Sequence, residues 1–213
     1  MTTTTIRTMT ITKKMTTGTP IAMLKAGCRR LRSDERASQI VEFALSLPIL
    51  MLFVVGIFDF SGALSLKQKL TNAAREGARV AASDPANDLA SLPPSGVPAS
   101  VFDAFWVVDN YLVSENINPC GLSVAKPAQT TGLTWVSTTT GCPGGPSGSL
   151  QLTINRGCIT QQALNGVTVN VVSTCVKILY PYKWQYSSVT SLFGITFIGP
   201  TSITTTSTAF NEN

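Results

Sequence analysis

One carboxylate stands out by its position. Glu42 opens the run FALSLPILMLFVVGIF, Phe43 to Phe58, sixteen residues without a charge. A carboxylate at the edge of hydrocarbon is costly, and such a residue is by default a functional candidate. The ordinary alternative is that it snorkels to the headgroups. Its chemistry would be electrostatic, the pairing of an anion with a cation where water is scarce. The cysteines are the second group. Cys28 lies in a basic N-terminal stretch, whereas Cys120, Cys142, Cys158 and Cys175 lie far downstream. Their spacings contain no close CxxC pair, so neither a Cys₄ zinc site nor a dithiol redox motif is expected. An even number in an oxidising compartment points to two disulfides. Three pairings exist, and Cys120 with Cys142 across a loop, Cys158 with Cys175 within a hairpin, is the favoured one.

Enzymatic chemistry finds little support. The chain has no histidine, so a Ser-His or Cys-His nucleophile cannot be built. It has no GxxxxGK[ST] loop and no GxGxxG. The acids Asp84, Asp88, Asp103, Asp109 and Glu115 are scattered. Asp103 and Asp109 fall on different faces of any helix that carries them, and both read as solvated surface. No enzyme, metal or cofactor is expected.

The elements that hold these residues follow from charge and hydropathy. Charged residues make up 13% of the chain, against about 25% in ordinary soluble domains. Residues 1–36 carry eight basic and two acidic side chains, and the rest carries eight and nine. The basic excess is therefore a topology signal rather than a nucleic-acid surface. Taking Glu42 and Asp59 as edges, the apolar stretch runs from Ile40 to Leu66, long enough to span a bilayer. The positive-inside rule puts the N-terminus in the cytoplasm and the remainder in the periplasm. A cleaved secretory signal, ending near Ser61-Gly62-Ala63, is the rival. Its apolar region would be shorter and would not begin with an acid.

A helix is expected from Ser38 to about Ala82, interrupted at Pro48, which frees the carbonyl of Ala44. Beyond the bilayer Leu66, Leu70, Ala73, Gly77 and Ala81 share one face. Ala73, Gly77 and Ala81 form a small-xxx-small ladder that lets backbones approach. That face packs either on the chain's own domain or on neighbouring helices. Residues 1–37 read as a disordered basic leader, in which Met9, Met15 and Met23 leave the true start open. Residues 84–99 read as a proline-rich linker, and 100–213 as a small domain. In that domain VFDAFWVVDNYLVSEN suggests a helix with an aromatic face, Phe102, Phe105, Trp106 and Tyr111 with Leu112. Residues 117–149 read as loop-rich, with Pro119, Pro127, Pro143 and Pro146 among glycines and threonines. Leu150, Leu152 and Ile154 alternate with polar residues, as do Val167, Val169 and Val171. Asn155-Arg156-Gly157 and Asn165-Gly166 offer turns. The apolar phase then switches to Val176, Ile178 and Tyr180, which suggests a bulge near 172–174. A last strand, ITTTSTAF, completes an antiparallel sheet and an α+β fold.

RASQIVEFALSLPIL, residues 36–50, resembles the processing and assembly signature of type IV pilin-like proteins. GIFDFSGALSLKQKLTNAAREGARVAAS, residues 56–83, is similar to the TadE-like pseudopilins of tight-adherence (Flp) pilus systems. The Asp59-Phe60 pair and the run from Ala73 to Arg79 carry most of that likeness, and VKILYPYKW and ITTTSTAFNE echo it weakly. The resemblance implies cleavage by a prepilin peptidase between Ala37 and Ser38, with Glu42 then the fifth residue and Phe43 the aromatic after it. Where the family has glycine before the cut, this chain has Ala37. It also implies a minor pilin-like subunit needed to assemble or export adhesive pili, with other pilin-like subunits and the assembly machinery as partners. A neighbouring subunit's Glu42 would pair with the new amine of Ser38 and set axial register. The other reading is an unprocessed, membrane-anchored binding or adhesion protein.

Overall fold

The computed structural model describes residues 35–90, 96–142, 148–164, 166–184, 186–191, 194 and 199–212. The leader up to residue 34, with Cys28, and the prolines at 143 and 146 lie outside the described residues. The chain divides into two compact units, residues 1–51 and 52–213.

Helix α1 runs Glu35–Ser83 without the interruption expected at Pro48, since a long apolar helix tolerates the loss of one backbone bond. Within it Ser38–Ser83 holds a stretch long and apolar enough to cross a membrane, with mean hydropathy 2.5 over 18 residues and none of that window buried. In the first unit Ile40, Phe43, Leu45, Ile49 and Leu50 are all exposed. A helix apolar all round and uncovered by protein has lipid as its natural surroundings.

In the second unit α1 loses its apolar belt and becomes one wall of a core. Leu70, Ala73, Ala74, Ala78 and Ala81 are fully buried, while Lys67, Arg75 and Arg79 stay exposed. Against them pack helix α2 (Ala99–Ser114), through Val101, Ala104, Phe105, Val108 and Leu112, and one face of a sheet, through Trp135, Leu152, Ile154, Val176 and Ile178. The small residues on α1 set the distance of approach. A Cβ on Gly77 would meet Val108 Cγ2 at 2.6 Å, with Val176 Cγ1 at 3.9 Å.

The sheet is an antiparallel meander of five strands in the order β1 (Ala128–Thr131), β2 (Thr134–Thr138), β3 (Gln151–Leu164), β4 (Val167–Pro181), β5 (Ser202–Phe210). A one-turn-and-a-half helix α3 (Tyr186–Ser191) lies between β4 and β5. The α+β reading, the long apolar helix, the short second helix and the antiparallel sheet agree with the sequence expectation.

Four further details differ. The stretch 117–149 is not only loop, because it contains β1 and β2, and Trp135 and Ser137 face inward from β2. The Trp135 indole N–H also donates to the carbonyl of Gly96 (3.1 Å). Asn155-Arg156-Gly157 is not a turn. It lies inside β3, where Asn155 pairs with Cys175 and Cys158 with Ser173, so that two residues of β3 oppose Thr174 alone. This is the bulge expected near 172–174, with the extra residue on the partner strand. Third, the linker 84–99 is partly structured, with a 3-10 turn at Ala86–Leu89 and Leu89 and Val97 packed on the core. Finally, Asp109 is not solvated. It is 5% exposed on the inner face of α2, and its Oδ1 has no hydrogen-bond partner among the described residues. Burial raises its carboxyl above the ordinary carboxylate range.

Candidate functional site

The sequence singled out three groups on α1, and the structure gives each a different environment. Ala37, Ser38, Glu42, Phe43 and Pro48 belong to the first unit. Ala37 and Ser38 lie within the helix rather than before it, because α1 starts at Glu35. Ser38 and Glu42 are exposed, and Phe43 is 66% exposed. Glu42 makes no ion pair among the described residues. The carboxylate at the head of the apolar run is thus exposed and has no ion-pair partner among the described residues.

Asp59 behaves differently. It sits at the end of the apolar run and is 7% exposed. Its Oδ1 accepts from the Tyr182 hydroxyl (3.1 Å), and its Oδ2 accepts from the backbone N–H of Tyr186 (2.8 Å). The Tyr182 hydroxyl also lies 3.3 Å from the Asp59 carbonyl. Each carboxylate oxygen therefore has a donor, the condition for a buried anion to persist. The receiving segment has contacts of its own. Tyr182 and Trp184 meet edge to face with centroids 5.0 Å apart, and the Trp184 indole N–H donates to the Pro200 carbonyl (2.6 Å). The Tyr186 ring lies over Gly56, one turn before Asp59, where a Cβ would stand 3.4 Å from Tyr186 Cε2, an ordinary van der Waals contact. Burial, and then the hydrogen bond and the negative charge of Asp59, push the Tyr182 hydroxyl up to about 12. Tyr182 accordingly stays a neutral donor at any physiological pH. The arrangement ties the segment between β4 and α3 to α1 at one point. The sequence placed Asp59 on α1, but nothing in its spacing named Tyr182 or Tyr186 as partners.

The third group, Ala73, Gly77 and Ala81, is buried in the core of its own unit. Of the two packings open to the small-residue ladder, the one against the chain's own domain is what the structure displays.

Two further anchors secure α1 beyond its apolar run, and the sequence reading named neither of them. Arg156 is 1% exposed, turned inward by the bulge in β3. Its guanidinium donates to the carbonyls of Ala81 and Asp84 (3.0 Å to the latter) and to Thr174 Oγ1 (3.1 Å). These carbonyls end α1, where helix carbonyls lack partners and the dipole favours a cation. Burial lowers the guanidinium's affinity for its proton, and Asp88 and Asp84 work in the opposite direction. Asp84 is raised, chiefly by burial and by the neighbouring negative charge of Asp103. The signal that could have pointed to Arg156 is Gly157, because a lone glycine inside a strand pattern often marks a bulge. Second, the Lys69 ammonium reaches both the Glu115 carboxylate and its carbonyl (3.1 Å each) at the end of α2.

The outer cysteines form the pairs Cys120–Cys142 and Cys158–Cys175, with Cα–Cα separations of 4.5 and 5.8 Å. Among the described residues no three histidine, cysteine or acidic side chains gather as metal ligands. An open, largely apolar groove of about 640 Å³ runs beside Tyr186, lined by Leu52, Phe53, Ile57, Phe60 and Leu64. It offers a surface for apolar chains and no acid or base for chemistry.

Compared with known protein families, residues 37–79 match the family described as TadE-like protein. The match begins at the expected processing junction and ends inside α1, so it covers Glu42, Asp59, Ala73 and Gly77 but none of the sheet. No curated protein and no solved structure matches the chain.

Proposed function

From the match of residues 37–79 to the TadE-like family, we propose that this chain is a minor pilin-like subunit of a tight-adherence pilus system, structural rather than catalytic. In this reading the leader is cytoplasmic and α1 crosses the inner membrane once. The disulfide-bonded α+β unit stands in the periplasm, and a prepilin peptidase cuts between Ala37 and Ser38. The observation that carries the proposal is the pairing of that match with an exposed Glu42, without an ion-pair partner among the described residues, at the head of an uncovered apolar helix.

Physics gives that carboxylate a task. Cleavage would place a positive amine on Ser38, four residues before Glu42. In low dielectric a neighbouring subunit's Glu42 could pair with that amine. Removing one partner of such a buried pair costs about 3–5 kcal/mol, because the other charge is left uncompensated. The pair would therefore fix axial register as subunits are added. Two features of the outer unit support the membrane placement. Tyr182, Trp184 and Tyr186 cluster where the apolar run of α1 ends at Asp59, and such aromatics favour the membrane–water interface. Two disulfides also suit an oxidising compartment.

The test is complementation of a deletion in the native host. The wild-type chain restores surface pili seen by electron microscopy. Glu42→Gln, present in the membrane at wild-type level, does not. Normal pili with Glu42→Gln would remove the basis of this reading and favour an anchored binding protein.

A further inference from the structure

β3 and β4 outrun the rest of the sheet. β2 leaves β3 at Asn155, and β5 leaves β4 at Ser173. From Ile159↔Val172 to Leu164↔Val167 the two strands pair only with each other among the described residues. They form a two-stranded ribbon whose two backbone edges have no strand partner among the described residues, held at its base by Cys158–Cys175. A free two-stranded ribbon is marginal in water. Exposed strand edges are ordinarily guarded by lysine, proline or a bulge. Here residues 158–175 contain no charged residue and no proline. The one bulge lies at the base, not along the ribbon.

The ribbon is also apolar where water would be expected. Val167 is 63% exposed, Ile159 68%, Val172 55% and Val169 39%. By the two-residue period of a strand, Val167, Val169 and Val171 share one face of β4. That face also carries Cys175 and Lys177, and it is opposite the core-facing Val176 and Ile178.

We propose that the free edge of β4 pairs with the same edge of a second copy of this chain, antiparallel and two-fold symmetric, so that the sheet continues from one chain into the other. Three observations choose this occupant. A two-fold contact requires a surface complementary to itself, and this edge is. Pairing centred on Val169 sets Val169 against its own copy and Val167 against the copy's Val171. The two valine rows then fuse into one patch of β-branched cross-strand pairs. The stretch has no charge to repel its copy. There is also room, because residues 167–171 stop short of Ser173, where Phe210 of β5 takes over the edge. The same operation on β3 would set Gln161 against Gln161 and gain little. Lipid is a poor occupant, since it cannot satisfy open backbone N–H and C=O groups. This contact does not depend on the pilus reading.

The full chain, purified in detergent micelles, provides the test. With p-benzoylphenylalanine at position 169, irradiation yields a covalent homodimer, and with the same probe at Gln161 it does not. In analytical ultracentrifugation Val169→Lys weakens self-association at least about tenfold, because it sets like charges directly opposite. Ile159→Lys, on the other strand and face, leaves self-association intact. Val169→Thr, which keeps β-branching, weakens it less. Mapping of both disulfides verifies that each variant is folded. A monomer at all concentrations, a dimer indifferent to Val169→Lys, equal crosslinking from 161, or crosslinks only to detergent would each overturn the proposal.

Discussion

Tyr182→Phe isolates the tie between α1 and the segment after β4. The substitution keeps the ring, and with it the edge-to-face contact with Trp184. It removes one hydroxyl. Asp59, 7% exposed, then retains the Tyr186 N–H on Oδ2 but loses the donor on Oδ1. Hydrogen bonds to charged groups contribute about 1.5–3 kcal/mol, and a buried acceptor left without a donor bears its desolvation in full. For a unit of this size each kcal/mol moves the melting midpoint by about 2–4 °C, so a fall of roughly 4–10 °C is expected. The assay is tryptophan fluorescence of the full chain in detergent during a thermal ramp. The pH dependence gives a second reading of the same bond. A hydroxyl raised from 10.0 to about 12 on folding adds stability that is intact below the unfolded value. That stability is lost as pH rises through the folded one. Wild type should therefore lose about 2–3 kcal/mol relative to Tyr182→Phe between pH 10 and 12. A double-mutant cycle with Asp59→Asn should give a coupling of about 1 kcal/mol or more. A variant within about 0.5 kcal/mol of wild type, with a parallel curve in base, would refute the reasoning.

Other perturbations probe the remaining anchors, each read by chemical or thermal denaturation of the full chain. Gly77→Ala puts a methyl group against Val108 Cγ2 and should cost about 1–3 kcal/mol by overpacking. Val108→Ala should then recover part of that loss. Arg156→Met removes the donors to the Ala81 and Asp84 carbonyls and should cost about 2–4 kcal/mol, whereas Arg79→Met, on an exposed side chain, should cost almost nothing. Asp109→Asn should stabilise the fold by about 1 kcal/mol near neutral pH, since a carboxylate whose Oδ1 has no partner among the described residues is buried there. Because burial raises this carboxyl, wild type loses stability as pH climbs through its folded value. The advantage of Asp109→Asn should therefore vanish in acid and grow toward neutrality.

What could be read from the residues was what local periodicity and solvent preference decide. The apolar run from Phe43 to Phe58 fixes a helix whatever follows it. The spacing of Leu66, Leu70, Ala73, Gly77 and Ala81 fixes which face turns inward. Alternation gave Leu152 and Ile154 their inward positions, and Gly166, φ 81°, sits in the expected connection between β3 and β4. The errors share a cause. Asn155-Arg156-Gly157 has turn chemistry, yet β4 pairs with β3 before and after it, so it is taken up as a bulge within the strand. Asp109 is polar and so reads as exposed, but its place on α2 is set by Phe105, Val108 and Leu112 around it. The partners of Asp59 are more than a hundred residues away, and no local pattern could supply them. The bare ribbon beyond Cys158 was equally hidden, because Val167, Val169 and Val171 alternate as though they covered a core.

The central claim is that this chain is processed as a pilin-like subunit, and the mass of its mature N-terminus tests it most directly. Protein purified from its own membranes should begin at Ser38, with an amine free to meet Glu42 of a neighbour. A chain that retains its leader, or one that begins beyond the apolar run near Leu64, would contradict it.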